Sequence, residues 1–530
     1  MRQGIRCWKG WSRKHAKPRK ACGPIRSRCR RGSGGNNEAS QEIHFNLGLL
    51  IYRPVVLHRN HAACWNTKNR GDCPMLTKIV VLFLQLGLSS LGILLACNVY
   101  AGDATSHRDL PAGIVKIPLN IHTGSPRIEF THDERLIVSA SVSKNQGQEA
   151  VLFRFFPNGK LDFAFGNAGL LLTRADGTFA PITSLYTGSL TIQPDGKIVV
   201  AGEASTGEMY SDDFLLMRFL PDGRPDASLD GRGWTITGLG KSHDQARDVM
   251  VLSDNSIVAV GGSLQTHYII NSRYDFALVR YLPDGRLHPH FANKGKATIR
   301  VGAGTSEDFA YAVKQDHQGR IIVAGEAHDS HYYPDLALLR MNTNGELDKT
   351  FGTDGRVITR FGELSSQAKS IAIQSDHKIL VGGSLYHRSS GGSGVVVRYD
   401  DRGKLDNTFG AEGSVRLPWV YELAMVKTQQ DGKVVLLGTR NSTSQKPAAM
   451  AVIRLNPDGT LDESFGENGT ATVELGSHLT ASGMAISSSN EIFVCGSAGQ
   501  RYQNSAKNQD NGLILFKLNQ RGVLDRGFGI

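Results

Sequence analysis

Residues 454–469 read RLNPDGTLDESFGENG, and close copies of this phrase occur seven times between Arg154 and Ile530. The turn glycines of the copies are 56 to 64 residues apart, at Gly159, Gly223, Gly285, Gly345, Gly403, Gly459 and Gly522. A fixed period of this size is typical of repeat architectures, in which each repeat is one supersecondary unit. The 530-residue chain is therefore interpreted mainly as one repetitive array.

A second phrase alternates with the first. It reads QPDGKIVVAG at 193–202, DHQGRIIVAG at 316–325 and QDGKVVLLG at 430–438, and four more copies occur, of which the first is degenerate. The polar ends of these phrases predict two-residue hairpin turns. The strands are apolar in continuous runs, which indicates sheets covered on both faces. Four such strands in each repeat, arranged radially, predict a β-propeller.

The ends of the chain predict how the array closes. The last phrase stops at Phe528-Gly529-Ile530, before the strand that follows every other copy. A similar strand, GIVKIPL at 113–119, precedes the first hairpin. We therefore predict an all-β, seven-bladed β-propeller of four-stranded blades over residues 113–530, in which strand 113–119 completes the last blade and leaves few exposed edges.

The two phrases, R-x-x-P-D-G-x-L-D-x-x-F-G-x-x-G and D-G-K-I-x-V-x-G, resemble the delta-60 repeat family of bacterial proteins over roughly residues 113–530. The resemblance implies a tandem, propeller-like and commonly exported protein, and it implies no established activity. The chain departs from the pattern at Leu229 in place of Phe, at His288 in place of Asp and at Lys517 in place of Arg.

A basic residue and an aspartate recur at fixed places in the first phrase. The basic residues are Arg154, Arg218, Arg280, Arg340, Arg398, Arg454 and Lys517, and the aspartates are Asp162, Asp226, Asp348, Asp406, Asp462 and Asp525. We predict an ion pair within or between blades in each repeat except the third, where His288 stands. Phe465 is expected to pack between blades. Partly buried ion pairs commonly set geometry, so these residues are interpreted as structural.

The formal net charge of +11 does not indicate a nucleic-acid partner. Residues 1–74 hold 16 Lys and Arg against three acidic residues, and the remaining 44 basic residues are balanced by 46 acidic ones. The folded part therefore lacks the basic footprint that a phosphate backbone requires. Residues 1–74 are expected to be a disordered basic leader or sequence upstream of a start at Met75. A basic cytoplasmic tail before a signal anchor is the alternative.

Residues 75–101 carry a targeting signal. Lys78 precedes an apolar run from Ile79 to Cys97, and Val99-Tyr100-Ala101 has the small residues of a signal-peptidase site. We expect cleavage after Ala101. Two alternatives stay open: Leu94-Leu95-Ala96-Cys97 resembles a bacterial lipobox with Cys97 as the lipidation site, and the run is long enough for a membrane helix. Each places the repeats outside the cytoplasm, in contact with a membrane only through the signal or an anchor.

The sequence contains no H-E-x-x-H, phosphate-binding loop, G-x-S-x-G elbow or EF-hand loop. Five of the seven cysteines precede Met75 at spacings that match no zinc site. We therefore expect no metal, no cofactor and no catalytic residues. The chain is interpreted as a monomeric, non-enzymatic binding or cell-surface module. An extracellular hydrolase or lyase acting on a polysaccharide or another polymer is the alternative, because catalytic groups in propellers can come from separate blades.

Binding residues are expected in the loops that vary between repeats. In antiparallel blades, the connections after the second and fourth strands lie on the face opposite the constant turns, and variable loops are where sites are usually grafted. The candidates are Tyr210, Asp213, Tyr268, Tyr274, Asp275, His328, His331, Tyr332, Tyr333, Asp335, Tyr386 and His387. Aromatic rings beside carboxylates suit a carbohydrate or protein ligand. Alternatively, Asp213, Asp275 and Asp335 simply start strands by binding backbone amides, and His328 and His331 are two exposed loop histidines.

Overall fold

The computed structural model describes most of the chain from residue 110 onward. The described segments are 110–119, 126–144, 147–173, 179, 182–206, 212–240, 243–265, 273–304, 307–328, 333–387, 391–442, 447–475, 479–499 and 512–530. The basic leader 1–74, the signal or anchor 75–101 and the lipidation candidate Cys97 lie outside these segments. Within them, no helix is long and apolar enough to cross a membrane.

The described segments contain 28 strands, which form seven four-stranded antiparallel sheets, here called blades 1 to 7. The N-terminal strand is β1 (Ile114–Pro118). Blade 1 contains β2 (Arg127–Phe130), β3 (Leu136–Lys144), β4 (Gly147–Phe155) and β5 (Leu170–Leu172). Blade 2 contains β6 (Ser184–Ile192), β7 (Ile198–Ser205), β8 (Asp212–Phe219) and β9 (Trp234–Thr237). Blade 3 contains β10 (Asp244–Val251), β11 (Ile257–Leu264), β12 (Tyr274–Tyr281) and β13 (Lys296–Ile299).

Blades 4 to 7 repeat the same order. Blade 4 contains β14 (Phe309–Gln315), β15 (Ile321–His328), β16 (Pro334–Met341) and β17 (Arg356–Thr359). Blade 5 contains β18 (Ser365–Ile373), β19 (Ile379–His387), β20 (Gly391–Tyr399) and β21 (Ser414–Leu417). Blade 6 contains β22 (Glu422–Thr428), β23 (Val434–Arg440), β24 (Ala449–Leu455) and β25 (Thr470–Glu474). Blade 7 contains β26 (Leu479–Ile486), β27 (Ile492–Ala498), β28 (Gly512–Leu518) and β1.

The N-terminal strand closes the ring, as predicted from the sequence. Strand β1 pairs antiparallel with β28, in a register that runs from Ile114 opposite Phe516 to Pro118 opposite Gly512. The first strand of each blade contacts the first strands of both neighbouring blades, and β2 contacts β26. These seven first strands, the inner strands, therefore surround a central channel.

The core lies between the blades. Seven clusters of buried apolar side chains each combine residues from two neighbouring blades, and one of them joins blade 7 to blade 1. Both faces of every sheet are thus covered, which explains why the strands are apolar in continuous runs. Phe465 is fully buried between blades 6 and 7, and this confirms its predicted place.

The repeated phrase ties each blade to the next through the backbone. In blade 6, the amide of Gly466 donates to the carbonyl of Arg521, at 2.8 Å, in the following turn. The equivalent donor–acceptor pairs are Gly166–Asp222, Asp230–Asp284, Ala292–Asn344, Gly352–Arg402, Gly410–Asp458 and Gly529–Asn158. One such bond therefore links every neighbouring pair of blades, including the last and the first.

The predicted ion pairs are present in six repeats. Their N–O distances are 2.6 to 3.0 Å, for Arg154–Asp162, Arg218–Asp226, Arg340–Asp348, Arg398–Asp406, Arg454–Asp462 and Lys517–Asp525. In blade 3, Arg280 binds Asp254 at 2.7 Å instead, and its Nε donates to Ser256 Oγ. The guanidinium groups also reach the next blade, as in Arg218 to the Pro283 carbonyl at 2.6 Å. These pairs fix geometry within and between blades.

The hairpins close over three residues, which corrects the predicted two-residue turns. In blade 2, the amide of Gly196 donates to the carbonyl of Gln193, and the amide of Gln193 donates to the carbonyl of Lys197. Gly196 takes a φ of 81°, while Asp195 keeps a negative φ. A type I turn followed by one left-handed residue makes this loop. The left-handed position is glycine or asparagine in five of the hairpins and Glu134 or His377 in the other two.

The antiparallel order defines two faces of the propeller. The turns between first and second strands and between third and fourth strands form the constant face. The connections between second and third strands and between blades form the variable face. Inner strands therefore begin at the variable face and end at the constant face, so their first residues surround the channel mouth on the variable side.

Candidate functional site in the axial channel

A recurrent β-bulge shapes the channel wall. The inner strands of blades 2 to 7 each shift register by one residue against their partner strand. The extra residues are Gly188, Arg247, Tyr311, Lys369, Ala424 and Ser482. A bulge re-aims a side chain at a sheet edge, and the inner strand is the edge that borders the channel. The bulge residues with large side chains are Arg247, Tyr311 and Lys369, in blades 3, 4 and 5. The large polar and charged bulge side chains are therefore concentrated on one side of the channel.

Glu326 lies at the centre of a polar network on this side. The Tyr311 hydroxyl donates to Glu326 Oε1 at 2.7 Å, and Gln367 Nε2 donates to Glu326 Oε2 at 2.5 Å. Lys369 Nζ lies 4.0 Å from the centre of the Tyr311 ring, a cation–π contact. Burial, reinforced by the charge of Glu326, raises the pKa of Tyr311 above its ordinary value. Tyr311 therefore stays a neutral hydrogen-bond donor at physiological pH.

Aromatic side chains line the mouth above this network. The rings of Tyr274 and Phe309 are 5.5 Å apart, and those of Phe309 and Tyr311 are 5.2 Å apart. On blade 5, Tyr386 meets Tyr421 edge-to-face at 6.1 Å. Gly262 makes room for this arrangement, because a Cβ there would overlap the Phe309 ring. The half-buried rings of Tyr274 and Tyr311 thus lie beside polar groups, and the buried Phe309 ring packs between them.

A second carboxyl, Glu203, lies on blade 2 opposite Tyr186 in the sheet register. Its side chain is 9% exposed, and its Oε2 has no hydrogen-bond partner among the described residues. Burial raises the pKa of Glu203, and the charge of Arg247 opposes this shift. Burial together with Glu307 and Glu203 raises the pKa of Tyr274 to about 12. Glu203 is therefore a buried acceptor, or proton donor, whose charge interacts with those of Arg247 and Tyr274.

These groups are called the axial site from here on: Glu203, Arg247, Tyr274, Phe309, Tyr311, Glu326, Gln367, Lys369 and Tyr386. Aromatic faces, two carboxyls and an amide are suited to orienting hydroxyl groups of a ligand. Throughout the segments that the structure describes, no group of three His, Cys, Asp or Glu side chains is placed to hold a metal ion.

The structure brings two of the sequence-predicted residues, Tyr274 and Tyr386, into the axial site. Four others, Tyr210, Tyr268, His331 and Tyr332, lie outside the described residues. Tyr333 precedes β16 and is half-buried, and His387 is exposed near the end of β19. The backbone amide of His328 donates to Asp308 Oδ1 at 2.9 Å, and its ring Nδ1 contacts the Glu307 carbonyl.

The three predicted aspartates lie at the start of third strands. Asp275 and Asp335 are buried and contact Arg273 at 3.4 Å and Arg360 at 3.1 Å. Asp213 is half-buried between blades 2 and 3. Its pKa rises to about 6 because of burial and the nearby Asp244 and Asp212, while Lys296 opposes the shift. Their contacts with blade neighbours favour structural roles.

Sequence reasoning missed Glu203, Arg247, Tyr311, Glu326 and Lys369 because they belong to strands rather than to variable loops. A signal was present: the second strands of blades 2 and 4 read AGEA, where most other copies have glycine, serine or threonine in place of the glutamate. Burying a carboxyl in an otherwise apolar strand costs free energy unless the group is hydrogen-bonded or paired with a charge. Its presence in two copies therefore marks these strands.

Together, the seven sheets and the recurring phrase define a tandem-repeat β-propeller protein. Its repeats match the family model described as Domain of unknown function (DUF5122) beta-propeller, at residues 193–229, 252–291, 319–351, 374–409 and 429–465. These segments run from the hairpin to the repeated phrase in blades 2 to 6. The chain has no match among curated proteins.

Several solved structures are similar to this chain at low identity. The polysaccharide lyase Uly1 is 8% identical, with a TM-score of 0.45 over 76% of this chain and 91% of that chain. A glucose dehydrogenase is 12% identical, with a TM-score of 0.36 over 62% and 96%. The intramolecular trans-sialidase from Ruminococcus gnavus is 10% identical, with a TM-score of 0.33 over 75% and 95%. Likenesses at this level carry no argument about activity.

Proposed function

We propose that this protein is a glycan-binding propeller that holds an oligosaccharide in the axial site, at the variable face. The observation that carries the proposal is the row of rings formed by Tyr274, Phe309 and Tyr311 beside the carboxyl of Glu326. Sugar rings present apolar C–H faces and hydroxyl groups, so they are bound by aromatic faces flanked by hydrogen-bonding groups.

The polar groups of the axial site match this ligand. Glu326 is held by Tyr311 and Gln367, which fixes the direction of its remaining lone pairs. Glu203 offers an oxygen that has no partner within the described segments, and a ligand hydroxyl would satisfy it at little cost. A rigid, strand-borne site loses little conformational entropy when a ligand binds.

The proposal includes the setting of the protein. The repeats support assignment to the delta-60 repeat family, and the apolar run 79–97 behind Lys78 supports export, with cleavage after Ala101 or lipidation at Cys97. The propeller then acts as a monomer outside the cytoplasm and meets a membrane only through its signal or anchor. A glycan of the cell surface or of the surroundings is its partner.

A glycan array probed with the full chain tests the proposal. Binding of oligosaccharides that is lost in Tyr311→Ala and retained in Phe156→Ala supports it. Phe156 is a matched control because it is an exposed aromatic residue in a turn of the constant face. Equal binding by both variants would place the ligand elsewhere, and an array without hits would reject glycan binding.

Cleavage of the bound polymer is the second candidate, because Glu203 is a buried carboxyl with a raised pKa. Such a group can act as a general acid on a glycosidic oxygen. Product formation from an array hit, abolished in Glu203→Gln while binding persists, would favour an enzyme. Intact glycan after prolonged incubation would favour binding alone.

A further inference from the structure

Three cations in the channel have no carboxylate within ion-pair distance among the residues that the structure describes. They are Arg127, Arg247 and Lys369, on the inner strands of blades 1, 3 and 5. Arg127 donates to the Ser482 carbonyl at 3.2 Å, and Arg247 donates to Gln245 Oε1 at 2.5 Å. Lys369 lies over the Tyr311 ring. Their charges are thus held by neutral groups.

Three carboxylates of the channel strands bind other groups. Glu129 pairs with Lys427 at 3.1 Å. Asp248 accepts the amide of Val313 at 2.9 Å, in the next blade. Glu326 accepts from Tyr311 and Gln367. These three carboxylates hold strands and side chains in place, and Glu203, whose pKa is raised by burial, forms no ion pair with Arg247 among the described residues, so the cations keep their charge available to a ligand.

Arg247 is the best-defined donor. It occupies the bulge position of blade 3, between the carboxyl-bearing blades 2 and 4, and its guanidinium lies 5.4 Å from the centre of the Phe309 ring. Its Nε–H has no acceptor among the described residues, although a buried donor without an acceptor costs free energy. Guanidinium groups that stack on a ring bind carboxylates or sulfates through two parallel hydrogen bonds.

The cations also repel one another. Burial lowers the pKa of Lys369, and the charges of Arg247 and Arg127 lower it further, while Glu326 and Glu422 oppose the shift. Burial likewise lowers the pKa of Arg127, with a smaller contribution from Arg247. An anion placed among the three groups relieves this repulsion and replaces the lost hydration.

From this arrangement we infer that the axial site selects acidic oligosaccharides, with the anionic group of one sugar unit bound by Arg247 and Lys369 and the sugar ring beside Tyr274 and Tyr311. The inference rests on the proposed glycan-binding function and adds the substrate class. A uronic carboxylate and a sulfate ester share the required chemistry, and the experiment separates them.

The test is isothermal titration of the full chain with three oligosaccharides: an unsulfated oligogalacturonate, a sulfated galactan fragment and a neutral xylo-oligosaccharide. We expect one acidic ligand to bind at least about tenfold more tightly than the neutral one. Raising NaCl from about 50 mM to about 300 mM should weaken only the acidic ligand. The preferred acidic ligand identifies the anionic group.

Variants then locate the contact. Arg247→Gln and Lys369→Gln should each weaken the acidic ligand by about tenfold and leave the neutral ligand unchanged, and Arg247→Lys should recover part of the loss. Arg224→Gln is the control, because Arg224 is an exposed arginine of the constant face. Circular dichroism melting of each variant verifies folding. The salt dependence is measured on the unmodified protein, so that result does not depend on whether a variant folds.

Two results would overturn the inference in different ways. If neutral and acidic oligosaccharides bind equally and the Arg247 and Lys369 variants change neither, acidic selection is wrong while glycan binding stands. If no oligosaccharide of any charge binds, the proposed function is wrong and the inference is rejected with it.

Discussion

The backbone amide of Gly529 donates a 2.6 Å hydrogen bond to the carbonyl oxygen of Asn158. This bond joins the last repeated phrase to the turn of the first one, and it occupies the same place as the bond from Gly466 to Arg521 between blades 6 and 7. Two contacts therefore close the ring: β1 pairs with β28 inside blade 7, and the Gly529–Asn158 bond joins blade 7 to blade 1 on the constant face. Both contacts join residues that are far apart in sequence, so β1 and the last repeated phrase contribute to the stability of the propeller.

The first prediction concerns this junction. Phe528 is 2% exposed, and its ring lies 6.0 Å from that of Phe493. Phe528→Ala should lower the free energy of unfolding by about 3 to 5 kcal/mol, because it opens a cavity at the closure. Val523→Ala, at a site that is 57% exposed, should change it by less than about 0.5 kcal/mol. Urea denaturation measures both, and equal effects would show that the closure contributes nothing.

The second prediction compares equivalent turn aspartates of blades 3 and 2. Asp254 binds Arg280, whereas Asp195 binds Lys197 and leaves Arg218 to Asp226. Asp254→Asn should destabilise by about 1 to 2 kcal/mol, because a buried guanidinium loses its only carboxylate among the described residues. Asp195→Asn should have a smaller effect. Thermal melting of the two variants decides, and a larger loss in Asp195→Asn would contradict the explanation.

The third prediction concerns the pH dependence caused by Asp213, whose folded pKa of about 6 exceeds its ordinary value. A carboxyl with a raised folded pKa favours folding at low pH and opposes it as the pH rises through about 6. Asp213→Asn removes this charge and should raise the melting temperature at about pH 7.5 and have little effect at about pH 4. A variant that is equally stabilised at both pH values would show that ionisation is not the cause.

The fourth prediction concerns the place of Phe309. Gly262→Ala puts a Cβ into the space that the Phe309 ring occupies, so the ring must move and the affinity for the array ligand should fall about five- to tenfold. In Gly527→Ala the added Cβ meets only Asp525 Oδ1, at 3.4 Å, and binding should persist. Titration of both variants with that ligand measures the difference. Unchanged affinity in Gly262→Ala would separate Phe309 from the ligand.

Much of the fold was predictable because the same structural features recur at fixed positions in each repeat. Gly159 and its six equivalents gave the period, and continuous apolar strands indicated that both faces of each sheet are covered. The last repeat lacks a fourth strand of its own, and this pointed to residues 113–119 as the strand that completes the blade. The spacing between the basic residue and the aspartate within one phrase was enough to predict six ion pairs, five with arginine and one with Lys517. The period, the covered faces and the ion pairs depend on residues close together in the chain, whereas the closing strand was found by comparing the repeats, because β1 and β28 lie at opposite ends of the array.

The candidate site was less predictable for the opposite reason. Arg247, Tyr311 and Lys369 are about 60 residues apart in sequence, and each looks like an ordinary strand residue. Only the bulge in each inner strand turns them toward one channel, and only the ring brings three blades together. The compensating pair of Arg280 with Asp254 was missed likewise, because the partner comes from a different hairpin.

The sequence by itself thus determined the number of blades, the closing strand and the constant face, because a repeated pattern of apolar runs, turn glycines and paired charges leaves a single way to bury its surface. The tertiary structure alone decided which side chains share the axis. Side chains from separate blades meet only after the ring has closed, and no local pattern specifies the direction into which a bulged residue turns.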